Sequence, residues 1–206
     1  MTYRAHRLSK LLNAVQNLKI KAVFVSALII ALLGQVYSAW HTILAEVNAL
    51  PAVNAHQYWR EWDTTPTKSE WQTARDQLIT AIDHQPQDPK LWMRLGDLYN
   101  LQIRYFELES AALNNAVDAG TYAYGQALTQ RPTWIGDWYD VARLYYNADR
   151  VADPRYHNAL KQLAQYGLRR PDVQEFLADA LPESTPHMAL EDAQRLQQSL
   201  TRSTLR

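Results

Sequence analysis

The stretch "LWMRLGDLYN", residues 91–100, sets a large, a medium, a very small and a large side chain at i, i+3, i+4 and i+7: Trp92, Leu95, Gly96 and Tyr99. All four fall on one face of an α-helix. Gly96 costs about 1 kcal/mol of helix propensity, so close contact with a second helix has to offset it. This is the pattern of the first (A) helix of a tetratricopeptide repeat (TPR), a helix pair of about 34 residues. In such a pair, small side chains let two antiparallel helices approach and large ones fill the gap beside them.

Working outward, Pro86 stands six residues before Trp92, the interval from one repeat's closing proline to the next repeat's Trp. Ala74, Leu78 and Ala81 precede it at second-helix (B) positions, predicting a B helix over residues 67–85. Thr67-x-x-Glu70 is a capping box at its start. Asp88-Pro89 is an N-cap followed by a first-turn proline. Downstream, Gly120, Tyr124, Ala127 and Pro132 repeat the B pattern, and Trp138, Val141, Ala142 and Tyr145 repeat the A pattern. Asp153-Pro154, Ala159, Leu163, Tyr166 and Pro171 mark a third B helix, with Tyr166 where a small residue is expected. Between Tyr99 and Gly120 there are twelve residues too many for the standard repeat. Nothing there breaks a helix, so the spacing predicts two lengthened helices joined near residues 108–110, with Ser110 as N-cap. Extra residues in the next pair fall in its turn near residues 150–153. Val173, Phe176 and Leu177 predict a short helix after Pro171. Thr185-Pro186 opens a last amphipathic helix with Met188, Ala189, Ala193, Leu196 and Leu200, a suitable end cap for a solenoid.

The amino end is of another kind. The chain has 206 residues with 21 cations and 21 acids. Five of those cations (Arg4, Arg7, Lys10, Lys19 and Lys21) and none of the acids lie in residues 1–40, which leaves 16 against 21 beyond. "AVFVSALIIALLGQVYSAW", residues 22–40, is uncharged. At ~1.5 Å per residue it reaches about 28 Å, near the thickness of a bilayer's hydrocarbon core. Tyr37 and Trp40 suit the membrane–water interface, and the flanking cations keep the N-terminus in the cytoplasm. Two other readings compete with this signal anchor: a cleaved signal peptide and the core helix of a soluble protein. Residues 3–18 also read as a basic amphipathic helix on the inner leaflet, or as a frayed terminus. The expected organisation is therefore a cytoplasmic basic segment at 1–19, a transmembrane helix at 20–41 and a linker or helix extension at 42–66. A periplasmic TPR-like domain at 67–206 completes it. In the linker, the membrane helix continues to about residue 49, Pro51 interrupts it, and Tyr58, Trp59 and Trp62 stack on the first B helix in place of a missing A helix. The fold class is all-α: an N-terminal transmembrane helix, then a TPR-like solenoid of helical hairpins. The inner membrane of a bacterium is the expected location.

The residues also exclude much. Without cysteine there are no disulfides, zinc–thiolate sites or thiol nucleophiles. A weakly acidic body argues against nucleic acid. The six histidines are scattered, with no His-Glu-x-x-His, no phosphate loop and no nucleophile elbow. Asp137 and Asp140 share a helix face, but a solvated surface or a helix-dipole role explains them more simply than acid–base chemistry. No enzyme and no cofactor is expected. The remaining candidate site is the concave face of the solenoid. On the repeat grid its outward A-helix residues are Lys90, Met93, Asp97 and Asn100 in one pair, and Tyr139, Arg143, Tyr146 and Asn147 in the next. Such a mixture suits an extended polypeptide. Tyrosines beside Arg and Asn would also suit sugar rings, and a groove with no ligand is the plainer alternative.

"AVDAGTYAYGQALTQRPTW" followed by "DWYDVARL", behind a basic terminus and one membrane helix, resembles the VpsP-type accessory proteins of bacterial exopolysaccharide biosynthesis. The resemblance covers about residues 20–170 and rests mostly on repeat positions. It implies a bitopic inner-membrane scaffold without catalysis of its own, whose partners are glycosyltransferase or exporter subunits, with polysaccharide as a further ligand. It carries over no catalytic residue. Ancillary factors of a protein translocon, envelope chaperones and cytochrome-assembly factors share the same layout. A small helical enzyme acting on polysaccharide is the alternative of another class.

Overall fold

The computed structural model describes the backbone of residues 2–184, with side chains from residue 23 to 181, and residues 195 and 198 beyond. Seven helices occupy residues 2–184, and the described residues include no strand. They are α1 (Thr2–Glu61), α2 (Lys68–His84), α3 (Pro89–Tyr105), α4 (Ser110–Gln130), α5 (Ile135–Asn147), α6 (Pro154–Tyr166) and α7 (Pro171–Ser184). The chain is all-α, with one long apolar helix at its N-terminus. The predicted last helix with Met188, Ala189, Ala193, Leu196 and Leu200 lies outside the described residues, as do the side chains of the basic segment at 3–18.

Two units divide the chain, Met1–Leu44 and Ala45–Arg206. In the first, Val23, Phe24, Ile29, Ile30, Leu33 and Val36 are all exposed. This part of α1 is long and apolar enough to cross a membrane, and none of its apolar stretch is buried in protein. A core helix would hide such side chains.

In the second unit consecutive helices pack on one another. Helix α3 packs on α4 and α5 on α6, while α2 packs on α3, α4 on α5, and α3 on α5. Helices α3 and α5 so touch each other, and each packs on the helix that follows it, which is compatible with a TPR-like solenoid. The small positions lie where the helices meet. A Cβ on Gly96 would come within 2.6 Å of the Tyr124 ring, and one on Gly120 within 3.1 Å of Leu144 and Tyr99. Ala74 and Ala127 are buried. The proline-to-tryptophan interval has a physical cause: Trp92 Nε1 donates to the Pro86 carbonyl and Trp138 Nε1 to that of Pro132, each at 2.8 Å. Each indole therefore holds the carbonyl exposed where the preceding B helix has ended.

Local signals place the helix ends. Thr67 and Glu70 make the reciprocal capping box of α2. Asp88 and Asp153 each accept a backbone N–H at the start of α3 and α6, with a proline following. The N-cap position of α4 is held by Glu109, without a side-chain capping bond, and not by the expected Ser110, which is its first helical residue. Where α5 ends, Asp149 adopts a positive φ of 54°, and the N–H of Arg150 reaches back to the Tyr145 carbonyl at 2.9 Å. This is the left-handed closure that usually employs glycine.

The expected linker at 42–66 is largely helix. Pro51 does not interrupt α1, which runs to Glu61. Pro51 and Val47 are both exposed, so the Val47 carbonyl that loses its intrahelical donor faces outward, where water can satisfy it. The residues beyond Leu44 share the hydrophobic cluster of α2 and α3. Ala45, Ala49, Ala52 and Trp59 are buried in one cluster with Trp71, Ala74, Leu78 and Leu95. Of the three aromatics assigned to stacking on α2, only Trp59 is buried; Tyr58 and Trp62 are 55% and 70% exposed.

Candidate groove on the A helices

The end of α1, α3 and α5 together line a cleft of about 320 Å³. Its position follows from the grid: residues opposite the Trp-Leu-Gly-Tyr stripe of an A helix face away from the B helices. Of the predicted groove residues, Met93, Asp97, Asn100, Arg143 and Asn147 come together there. Lys90, Tyr139 and Tyr146 do not line it. Lys90 is exposed at the start of α3. The Tyr139 and Tyr146 rings pack edge-on against Phe176 of α7, with centroids 5.3 and 5.8 Å apart. The position of α7 could not be read from the grid alone, and with it these two tyrosines leave the groove. Sequence reasoning missed His56, Arg60, Arg94, Arg104, Tyr105 and Asp140. The first two were hidden by the linker assignment, although Ala45, Ala49, Ala52, His56 and Trp59 recur at helical spacing.

On the cleft lining, Asn147 Nδ2 donates to Asn100 Oδ1 at 2.8 Å. This bond joins α3 to α5 and uses one N–H of Asn147 and the oxygen of Asn100, which leaves the Asn100 amide nitrogen as a spare donor group and the Asn147 oxygen as a spare acceptor. Asp97 accepts from Tyr124 Oη at 3.0 Å, and Arg94 stands 4.0 Å from its other oxygen. Burial pushes the Asp97 carboxyl up to about 6, against the hydrogen bond from Tyr124 and the nearby arginines. Asp140 shares the cleft. Burial, then repulsion from Asp97, pushes it up to about 8, opposed by Arg143. The Asp97–Asp140 pair therefore holds a proton at neutral pH. Asp140 is not the solvated surface acid the sequence suggested.

Asp137 is fully buried in the first turn of α5, the place of the expected helix-dipole role. It receives two hydrogen bonds from Arg131, at 2.7 and 2.8 Å. Burial raises its pKa and the guanidinium opposes that rise. The pair ties the end of α4 to the first turn of α5, and Arg131 also reaches Met93 Sδ at 3.2 Å. Asp137 and Asp140 thus do separate jobs: one braces the groove wall, the other faces the cleft.

On the α1 wall, His56 is only 8% exposed. Burial, then Arg94 and Arg60, drives it down to about 4, so the ring is neutral. Its buried Nδ1 has no hydrogen-bond partner. At the other end, Arg104 lies 3.8 Å from Asp63, and Tyr105 Oη donates to the same carboxylate at 2.6 Å. Arg143 lies over the Tyr139 ring, 5.6 Å from its centroid. Among the described residues, no group of three His, Asp or Glu could hold a metal ion. No protein-family model matches the chain, and no curated protein matches it either.

Proposed function

We propose that this chain is a non-catalytic, membrane-anchored scaffold whose helical body docks an extended polypeptide segment of a partner. The observation that carries the reading is the Asn100–Asn147 pair in the cleft. Its spare donor and acceptor match the C=O and N–H of one peptide unit, and a polypeptide in extended form has those groups unpaired. A glycan is less well served, because Tyr139 and Tyr146, the tyrosines expected to stack on sugar rings, pack against Phe176 instead. The positive flank and uncharged stretch of the first forty residues support a signal anchor with the N-terminus in the cytoplasm and the body in the periplasm of a bacterial inner membrane. The sequence resemblance supports a setting in exopolysaccharide biosynthesis and export, with glycosyltransferase or exporter subunits as partners.

Affinity purification of the full chain from intact membranes tests this. Glycosyltransferase or exporter subunits should co-purify, and the double variant N100A/N147A should lose them. Recovery of translocase or cytochrome-assembly subunits would move the same scaffold to another pathway. Partner recovery unaffected by the double variant would remove the groove from the function.

A further inference from the structure

The groove carries more positive charge than its own acids balance. Arg60, Arg94, Arg104 and Arg143 line it, against Asp97 and Asp140. Arg104 is occupied by Asp63 at the rim and Arg94 lies at the outer limit of pairing with Asp97. Arg60 and Arg143 make no ion pair among the described residues. A second observation is independent of charge: His56, nine-tenths buried in the α1 wall, has an Nδ1 without a partner. A buried polar nitrogen left unpaired in a protein wall costs about 1–3 kcal/mol, a cost the α1 wall carries in the ligand-free fold.

Resting on the reading above that the body docks a polypeptide, we infer that the groove selects an acidic segment, whose carboxylates pair with Arg60 and Arg143 while the Asn100–Asn147 amides hold its backbone. Guanidinium–carboxylate bonds are charge-assisted and directional, so they add specificity to the amide contacts. The two acids of the cleft set the conditions. The charged and titratable groups facing them are Arg60 and neutral His56 from α1, Arg94 from α3 and Tyr124 from α4. Asp137 and Arg143 from α5, and Arg170 before α7, complete the surroundings. With a proton on the pair, the cleft is net positive and receives an anion. As pH rises through the Asp140 value, a second carboxylate forms beside the ligand and repels it. Binding of the acidic segment is therefore coupled to retention of that proton.

The test uses the full chain in lipid nanodiscs and four fluorescent probes: decapeptides alternating Gly with Glu, with Gln or with Lys, and a galacturonate hexamer. At pH 6 and low salt the Glu peptide should bind at least about tenfold more tightly than the Gln peptide. R60Q and R143Q should each lower its affinity about tenfold, with melting curves checked for both. The Glu peptide should weaken from pH 6 to pH 9, and D140N should flatten that dependence. Equal binding of Glu and Gln peptides would overturn the charge selection while leaving polypeptide docking in place. Binding of the galacturonate hexamer with none of the peptides would overturn both. Tightest binding of the Lys peptide would overturn the assigned sign of the cleft.

Discussion

Gly96 and Gly125 are the same residue type in neighbouring helices, yet opposite outcomes are expected on adding one methyl group. At Gly96 the new carbon meets the Tyr124 ring at 2.6 Å, whereas at Gly125 nothing lies within 4 Å. Tyr124 is fully buried and has nowhere to move. Gly96→Ala should therefore destabilise the body by about 1–3 kcal/mol through overpacking, despite its gain in helix propensity. Gly125→Ala should stabilise it by about 0.5–1 kcal/mol. Thermal melts of the two variants decide the matter. Gly96 was legible in the sequence because its neighbours fixed its face; nothing near Asp97 announced that Tyr124 would bond to it and Asp140 would share its cleft. Those facts depend on how α3 and α5 are set against each other, which spacing along one helix does not encode. Asp140 also has a stability signature. Its folded pKa of about 8 lies above the ordinary carboxyl value of about 3.9. Between those values the folded state binds more protons than the unfolded one, so stability falls as pH rises, by at most about 1.4 kcal/mol per unit. D140N should remove this loss, and its melting advantage should grow from pH 5 to pH 8. A constant advantage would place the Asp140 carboxyl in water.

At the level of the element, most boundaries were written in short local codes. The capping box at Thr67, the Asp-Pro starts at residues 88 and 153, and the Pro-to-Trp intervals each act within six residues. The continuation of α1 through Pro51 was not legible. Proline's local penalty argued for a break, while the burial of Ala45, Ala49, Ala52 and Trp59 on α2 and α3 is a tertiary gain that outweighs it. The close of α5 offers a direct test. Asp149 is exposed and holds φ at 54°, a strained region for a residue with a Cβ. Asp149→Gly should raise the stability by about 0.5–1 kcal/mol, measured by denaturant midpoint at unchanged slope.

For the whole molecule, the division falls near Ala45. A fragment of residues 45–206 should melt cooperatively. A fragment of residues 67–206 should not, because it strips Ala52 and Trp59 from Trp71 and Ala74 and leaves one side of that cluster in water. Comparable cooperative melts would deny the end of α1 its part in that cluster. The charge asymmetry makes a separate prediction: a reporter enzyme that is active only outside the cytoplasm, fused after Arg206, should be active, and one fused before Met1 should not.

The two indole contacts give the molecule an optical property. Trp92 and Trp138 are half-buried, and each is bonded to the carbonyl at its own hairpin junction. Parting either junction moves that ring into solvent and shifts its fluorescence emission. Single-tryptophan variants, with phenylalanine at the other positions, would show whether the junctions part together or in sequence, and from which end the stack begins to open.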